Sequence, residues 1–232
     1  MLRVIAALGA AAAGCGRIGF GAQTGDAGFA MDSTVFGDGV VAPSCGATTV
    51  FADGFDDGVA GPFFKTFTAT GLTLTETASH LQIAFAPSVT PARYAGYETV
   101  QAYPSDGLCL VAEVVQLPVD RGVMYIKVRS STEQFEFFAW AGLLDMRTHQ
   151  GGLISAISKR PLDPVAQRFW RLREQGGTSS WDVSADGITY YSLASSTFFT
   201  DGPVIIELGA GVFEPNANAG TAIFDSVQLT TP

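Results

Sequence analysis

From Val50 onward the chain is a succession of short apolar runs, each stopped within a few residues by glycine, proline, aspartate or serine. "HLQIAFA" (80–86) sets Leu81, Ile83 and Phe85 on one side of an extended segment. "LCLVAEVVQL" (108–117), "GVMYIKVR" (122–129), "QFEFFAW" (134–140), "RFWRLRE" (168–174), "WDVS" (181–184), "PVIIEL" (203–208) and "TAIFDSVQL" (221–229) follow in the same manner. Runs this short, alternating or fully apolar and separated by turn formers, specify strands rather than helices. Helical spacing is hinted at only over a turn near Leu162 to Gln167. The 27 glycines and 17 phenylalanines favour strands and tight turns as well. The expected fold class is all-β, an antiparallel sandwich of two sheets over residues 49–232, with no internal repeat.

The densest stretch, "RFWRLREQGGTSSWDVSADGITYYSLAS" (168–195), holds two tryptophans and three arginines. "WDVSA" and "ITYYSL" read as strands, and Asp186-Gly187 between them as a two-residue type I′ loop, where both central residues need positive φ. A calcium or sugar role for Asp186 is not required by that reading.

The first fifteen residues read differently. Arg3 supplies a positive start, "VIAALGAAA" (4–12) an apolar core, and Ala13 and Gly14 small residues directly before Cys15. This is the pattern of an export signal over 1–14. "AAAGC" (11–15) resembles the lipobox of bacterial lipoproteins, although Ala12 stands where that family usually has leucine. The resemblance implies cleavage before Cys15, lipidation of its thiol and a membrane anchor through the N-terminal lipid. The expected location is the cell envelope, at the outer membrane or cell surface. A plain secreted N-terminus is the other reading. Residues 15–48, rich in glycine, alanine and small polar residues, are expected to form a flexible tether with a reach of roughly 30 Å. Removing Cys15 from the three cysteines leaves Cys45 and Cys109, an even pair that suggests a disulfide in an exported chain. Two separate buried thiols are the alternative. The formal charge of −9 argues against a nucleic-acid partner, no run approaches the length of a membrane-spanning helix, and a monomer is expected.

"FADGFDDG" (51–58), "RFWRLREQGG" (168–177), "WDVSADGITYY" (181–191) and the closing "IELGAGVFEPNANAGTAIFDSVQL" (206–229) resemble the concanavalin A-like lectin/glucanase sandwiches, particularly bacterial versions related to laminin-G modules. The resemblance implies a curved jelly roll that often binds sugar on its concave face. Glucanases of that family place two glutamates on one strand as E-x-D-x-x-E, so that alternation aims both carboxylates at the substrate. No such strand occurs here. Glu133 and Glu136 fall on opposite faces, and His80 and His149 have no metal-ligand spacing. The chain is therefore expected to be non-catalytic.

Parity within one hairpin nominates a binding face. A loop at Ser130-Ser131 pairs Lys127 with Gln134, Ile126 with Phe135, Tyr125 with Glu136 and Met124 with Phe137. Met124, Ile126, Val128, Phe135 and Phe137 then face the core. Tyr125, Lys127, Glu136, Phe138 and Trp140 face away, and Arg171 and Arg173 lie opposite the core residues Trp170 and Leu172 of their own strand. Aromatic rings beside hydrogen-bonding groups suit a pyranose, which offers an apolar C–H face and a rim of hydroxyls. The two arginines favour an anionic glycan. Burial of Phe138 and Trp140 beneath a loop is the competing reading, and the exposure of Trp140 separates the two.

Asp53, Asp56 and Asp57 near the first strand and Asp225 in the last form a candidate calcium set, if first and last strands lie side by side. "DGFDDG" is too short for an EF-hand loop, and solvated turn aspartates are the alternative. No other cofactor is implied. The expected function is a surface-anchored carbohydrate-binding module. The alternative is a structural or adhesive lipoprotein that contacts other proteins, with a glycoside hydrolase as a more distant third.

Overall fold

The computed structural model describes residues 40–87, 92–197, 202–215 and 218–232. The signal over 1–14, Cys15 and most of the tether lie outside these residues. In chain order the strands begin with β1 (Thr48–Asp53), β2 (Phe64–Thr68), β3 (Leu72–Thr77), β4 (His80–Phe85), β5 (Arg93–Thr99), β6 (Tyr103–Pro104), β7 (Cys109–Gln116) and β8 (Gly122–Arg129). They continue with β9 (Glu133–Trp140), β10 (Leu143–Gln150), β11 (Leu153–Pro161), β12 (Phe169–Gln175), β13 (Thr178–Ser184), β14 (Tyr191–Ser196), β15 (Pro203–Val212) and β16 (Thr221–Thr231).

These strands build two eight-stranded antiparallel sheets, as the apolar runs predicted. The first runs β14-β13-β12-β7-β16-β4-β3, with β1 also on β16; the second runs β11-β10-β9-β8-β15-β5-β2, with β6 also on β15. The long β16 pairs with β7 along one edge, and with β4 and then β1 along the other. First and last strands are thus neighbours.

The core between the sheets takes one parity from each strand, including Leu81, Ile83, Leu110, Ile126, Phe137, Trp170, Trp181 and Phe224. Both tryptophans of the dense stretch sit here, fully buried. Trp170 Nε1 donates to the Gln167 carbonyl at 2.9 Å, and Trp181 Nε1 donates across the sandwich to the Glu136 carbonyl at 2.7 Å. Their polar edges are satisfied, so the rings cost no orphaned donor.

Two local expectations are corrected. Asp186-Gly187 does not close a two-residue hairpin, because β13 ends at Ser184 and β14 starts only at Tyr191. Within that longer loop Gly187 alone of the pair takes a positive φ, +72°. Asp186 accepts hydrogen bonds from the amides of Thr189 and Ile188, both at 2.9 Å, and these hold its carboxyl below the usual aspartate range. The pair folds a wider turn by side-chain capping instead. The β8–β9 register is also shifted: Lys127 faces Glu136, Ile126 faces Phe137 and Tyr125 faces Phe138. Ser130 N donates to the Glu133 carbonyl at 2.8 Å, while Ser130 Oγ accepts from Glu133 N at 3.0 Å, so the turn centres on Ser131-Thr132. The shift is two residues, which leaves every side chain on its expected face.

Residues 40–47, placed in the tether from sequence, pack on the first sheet. Val41 bridges Tyr191, and Ala42 N donates to the Tyr190 carbonyl at 2.8 Å. Cys45 and Cys109 form the expected disulfide, Cα to Cα 5.8 Å, and so fasten this segment to the start of β7. Links of this kind typically contribute about 2–4 kcal/mol.

Candidate functional site

The outer face of the second sheet carries a groove of about 650 Å³. Backbone register explains how distant residues meet there. Glu207 on β15 faces Lys127 on β8, Lys127 faces Glu136 on β9, and Glu136 faces Arg147 on β10. One row across four strands therefore alternates in charge. The adjacent rows carry rings: Tyr125 beside Phe138, and Val123 beside Trp140. A second, smaller apolar cluster forms around Val123, Tyr125 and Phe138, with Tyr94, Trp140 and Phe213 packed against it.

The polar groups are fixed by one another. Tyr125 Oη donates to Glu207 Oε1 at 2.6 Å, and Lys127 Nζ pairs with the same oxygen at 2.8 Å. Burial, reinforced by the Glu207 charge, pushes the Tyr125 hydroxyl well above its usual pKa, so it remains a donor. Glu136 accepts from Gln134 Nε2 at 2.9 Å and lies 2.8 Å from His149 Nε2. The Arg147 guanidinium lies 3.8 Å above the Phe138 ring and bonds Asp145 Oδ2 at 2.6 Å. Gly209 permits the arrangement: a Cβ there would lie 2.6 Å from Tyr125 Oη. The missing side chain lets the tyrosine lie across β15 to reach Glu207.

Tyr125, Lys127, Glu136, Phe138 and Trp140 thus meet in one groove, as their parity predicted. Trp140 is half-buried, packed edge-on against Phe213 with centroids 5.0 Å apart, and its Nε1 has no acceptor among the described residues. It is neither a free platform nor a core residue. Tyr94, Gln134, Arg147, His149, Ile154, Glu207 and Phe213 complete the lining and were not assigned to this face from sequence. A sequence signal existed for Glu207, the lone charge inside the apolar run "PVIIEL".

Arg171 and Arg173 do not join this groove, which corrects their assignment. Both belong to β12 in the first sheet. Arg171 is 3% exposed, pairs with the fully buried Asp182 at 2.9 Å and stacks on Tyr190 at 3.9 Å. Burial drives the Tyr190 hydroxyl up to about 12 despite the nearby Arg171 charge. Arg171 is consumed by an internal ion pair; Arg173 leans on the same carboxylate at 3.4 Å.

The four candidate calcium aspartates are not gathered around one point. Asp53 Oδ1 accepts from Phe55 N at 2.8 Å and Asp57 Oδ1 from Val59 N at 3.1 Å, which are turn-capping roles. Asp225 pairs instead with His80 at 3.2 Å. Among the described residues no group of three or more metal-ligating side chains converges.

No known family's sequence profile matches the chain, and no curated protein sequence matches it. Its fold, by contrast, is shared with solved carbohydrate enzymes. SCLam, a non-specific endo-β-1,3(4)-glucanase from family GH16, superposes with a TM-score of 0.62 at 12% identity, over 84% of this chain and 98% of that one. The catalytic domain of an endo-1,3-β-glucanase (laminarinase) from Thermotoga petrophila RKU-1 gives 0.59 at 14% identity, covering 78% and 96%. A LamA variant from Z. galactanivorans, in complex with laminaritriose and laminaritetraose, gives 0.55 at 12% identity, covering 78% and 98%. These likenesses establish the concanavalin A-like jelly roll. They also overturn the expectation of a non-catalytic chain, because the architecture found here is shared with endo-glucanases.

Proposed function

We propose that the outer groove of the second sheet binds a polysaccharide of the β-1,3-glucan type. The observation that supports this most is the union of five aromatic rings, Tyr94, Tyr125, Phe138, Trp140 and Phe213, with fixed donors and acceptors in one groove of ligand size. Rings supply stacking for the sugar faces, and Lys127, Gln134, Glu136 and His149 meet the hydroxyls. Affinity electrophoresis in laminarin should show retardation of the parent. Trp140→Ala should weaken binding at least tenfold while costing about 1–2 kcal/mol of stability, less than a fully buried ring would. Unchanged mobility of both proteins with and without laminarin would remove the proposal.

Hydrolysis of the bound glycan is a second reading, favoured by the two carboxylates of the groove. Glu136 on β9 and Glu207 on β15 flank Lys127 of β8 in one row across the sheet, two strand spacings apart. Release of reducing ends from laminarin, lost in both Glu136→Gln and Glu207→Gln, decides for it.

Export and anchoring through Cys15 belong to the same proposal, supported by the residue pattern over 1–15. Cys15→Ser is expected to move the protein from the detergent phase to the soluble fraction. Equal partitioning of variant and parent would exclude the anchor. Multiple acyl chains hold stably where a single chain gives only marginal binding.

A further inference from the structure

The segment Val40–Pro43, lying against β14, forms a second groove with the outer face of the first sheet. Its volume is about 750 Å³. Two guanidiniums line it, Arg173 from β12 and Arg160 from the edge strand β11 of the other sheet, and no carboxylate does. That is unusual on a chain with a net charge of −9. Asp182 is fully buried beneath, paired with Arg171 at 2.9 Å and more loosely with Arg173 at 3.4 Å.

Neither guanidinium has a close ionic partner. Arg173 reaches Asp182 Oδ2 and Gln175 Oε1, each at 3.4 Å, beyond the usual N–H···O range. Arg160 makes no ion pair among the described residues; its Nη2 meets the Leu193 carbonyl at 3.4 Å, and its buried Nε has no partner. Hydroxyls surround them by register. Arg173 faces Ser180, Ser180 faces Ser195, and Gln175 faces Thr178. Such groups both donate and accept, as sugar hydroxyls do.

We propose that this groove is a binding site for an acidic oligosaccharide, with a carboxylate or sulfate ester held by Arg160 and Arg173. A guanidinium fork matches a planar or tetrahedral oxyanion bidentately. The volume is far more than a lone inorganic anion fills and lies within the range of small-ligand sites. The site is built mainly on the first sheet, with Arg160 reaching it from β11, and it shares no lining residue with the glucan groove.

Isothermal titration of the full chain tests the proposal with four probes: an oligogalacturonate, a sulfated galactan oligosaccharide, neutral laminaritetraose and inorganic sulfate. At least one acidic oligosaccharide should bind at least tenfold more tightly than inorganic sulfate, and the better of the two identifies the charged group. Arg173→Gln and Arg160→Gln should each weaken that binding at least tenfold, whereas Trp140→Ala should leave it unchanged. Arg160→Gln breaks only one long bond, so its thermal midpoint should match the parent and keep the comparison interpretable. The proposal falls if neither acidic probe binds, if inorganic sulfate binds equally well, or if binding survives both arginine changes. It falls also if Trp140→Ala abolishes binding, which would place the acidic sugar in the glucan groove.

Discussion

Trp181→Ala is expected to lower the free energy of unfolding by about 3–5 kcal/mol, the cost of removing a fully buried aromatic ring, and to weaken glucan binding as well. The ring lies between the sheets, edge-on to Phe135 with centroids 5.7 Å apart. Its Nε1 holds the backbone carbonyl of Glu136, whose carboxylate points the other way, into the groove. The groove floor is therefore held from beneath by the opposite sheet. Trp181→Phe separates the two effects, since it keeps most of the packing and drops only the hydrogen bond, worth about 1 kcal/mol. Urea denaturation of the three proteins, with laminarin affinity measured on each, checks both parts. A stability loss below 1 kcal/mol in the alanine variant would contradict the role given to this ring.

Arg171→Ala is expected to be comparably damaging, by about 3–5 kcal/mol, for an electrostatic reason. Asp182 is fully buried, and the substitution leaves its carboxylate with only the long 3.4 Å contact to Arg173. The double variant Arg171→Met, Asp182→Leu removes both charges and should recover most of the loss, because a packed apolar pair is often as stable as the ion pair it replaces. Thermal or chemical denaturation of single and double variants gives the coupling directly. A double variant as unstable as Arg171→Ala would show that shape, rather than charge, is what this site requires.

Parity carried most of what could be read in advance. Alternation along β8 and β9 assigned Tyr125, Lys127, Glu136, Phe138 and Trp140 to one face, and a register error of two residues did no harm because faces repeat with that period. Parity cannot say which sheet a strand joins. Arg171 and Arg173 point outward just as Lys127 does, yet on the other sheet, where one is spent on Asp182. Arg147 and His149 were not assigned to that face, although Leu144 and Met146 alternate with Asp145, Arg147 and His149 along "LLDMRTHQ", because the parity of one strand does not name its neighbour. Their place became visible only through pairing with β9. The loop around Asp186 misled for a related reason: Asp-Gly marks a turn, but the capping bonds that widen this one depend on Ser184 and on residues beyond the pair.

The positions of the last two strands bear on how the molecule comes to be folded. β15 lies between β8 and β5, and β16 between β7 and the pair β4 and β1. Until those two strands are made, each sheet exists only as separate pieces with bare, unpaired edges. Assembly must wait for segments distant in the chain, and topologies that depend on such contacts form slowly. A nascent chain of this design stays open for most of its synthesis. That delay exposes sticky strand edges to any partner that reaches them before β15 and β16 do.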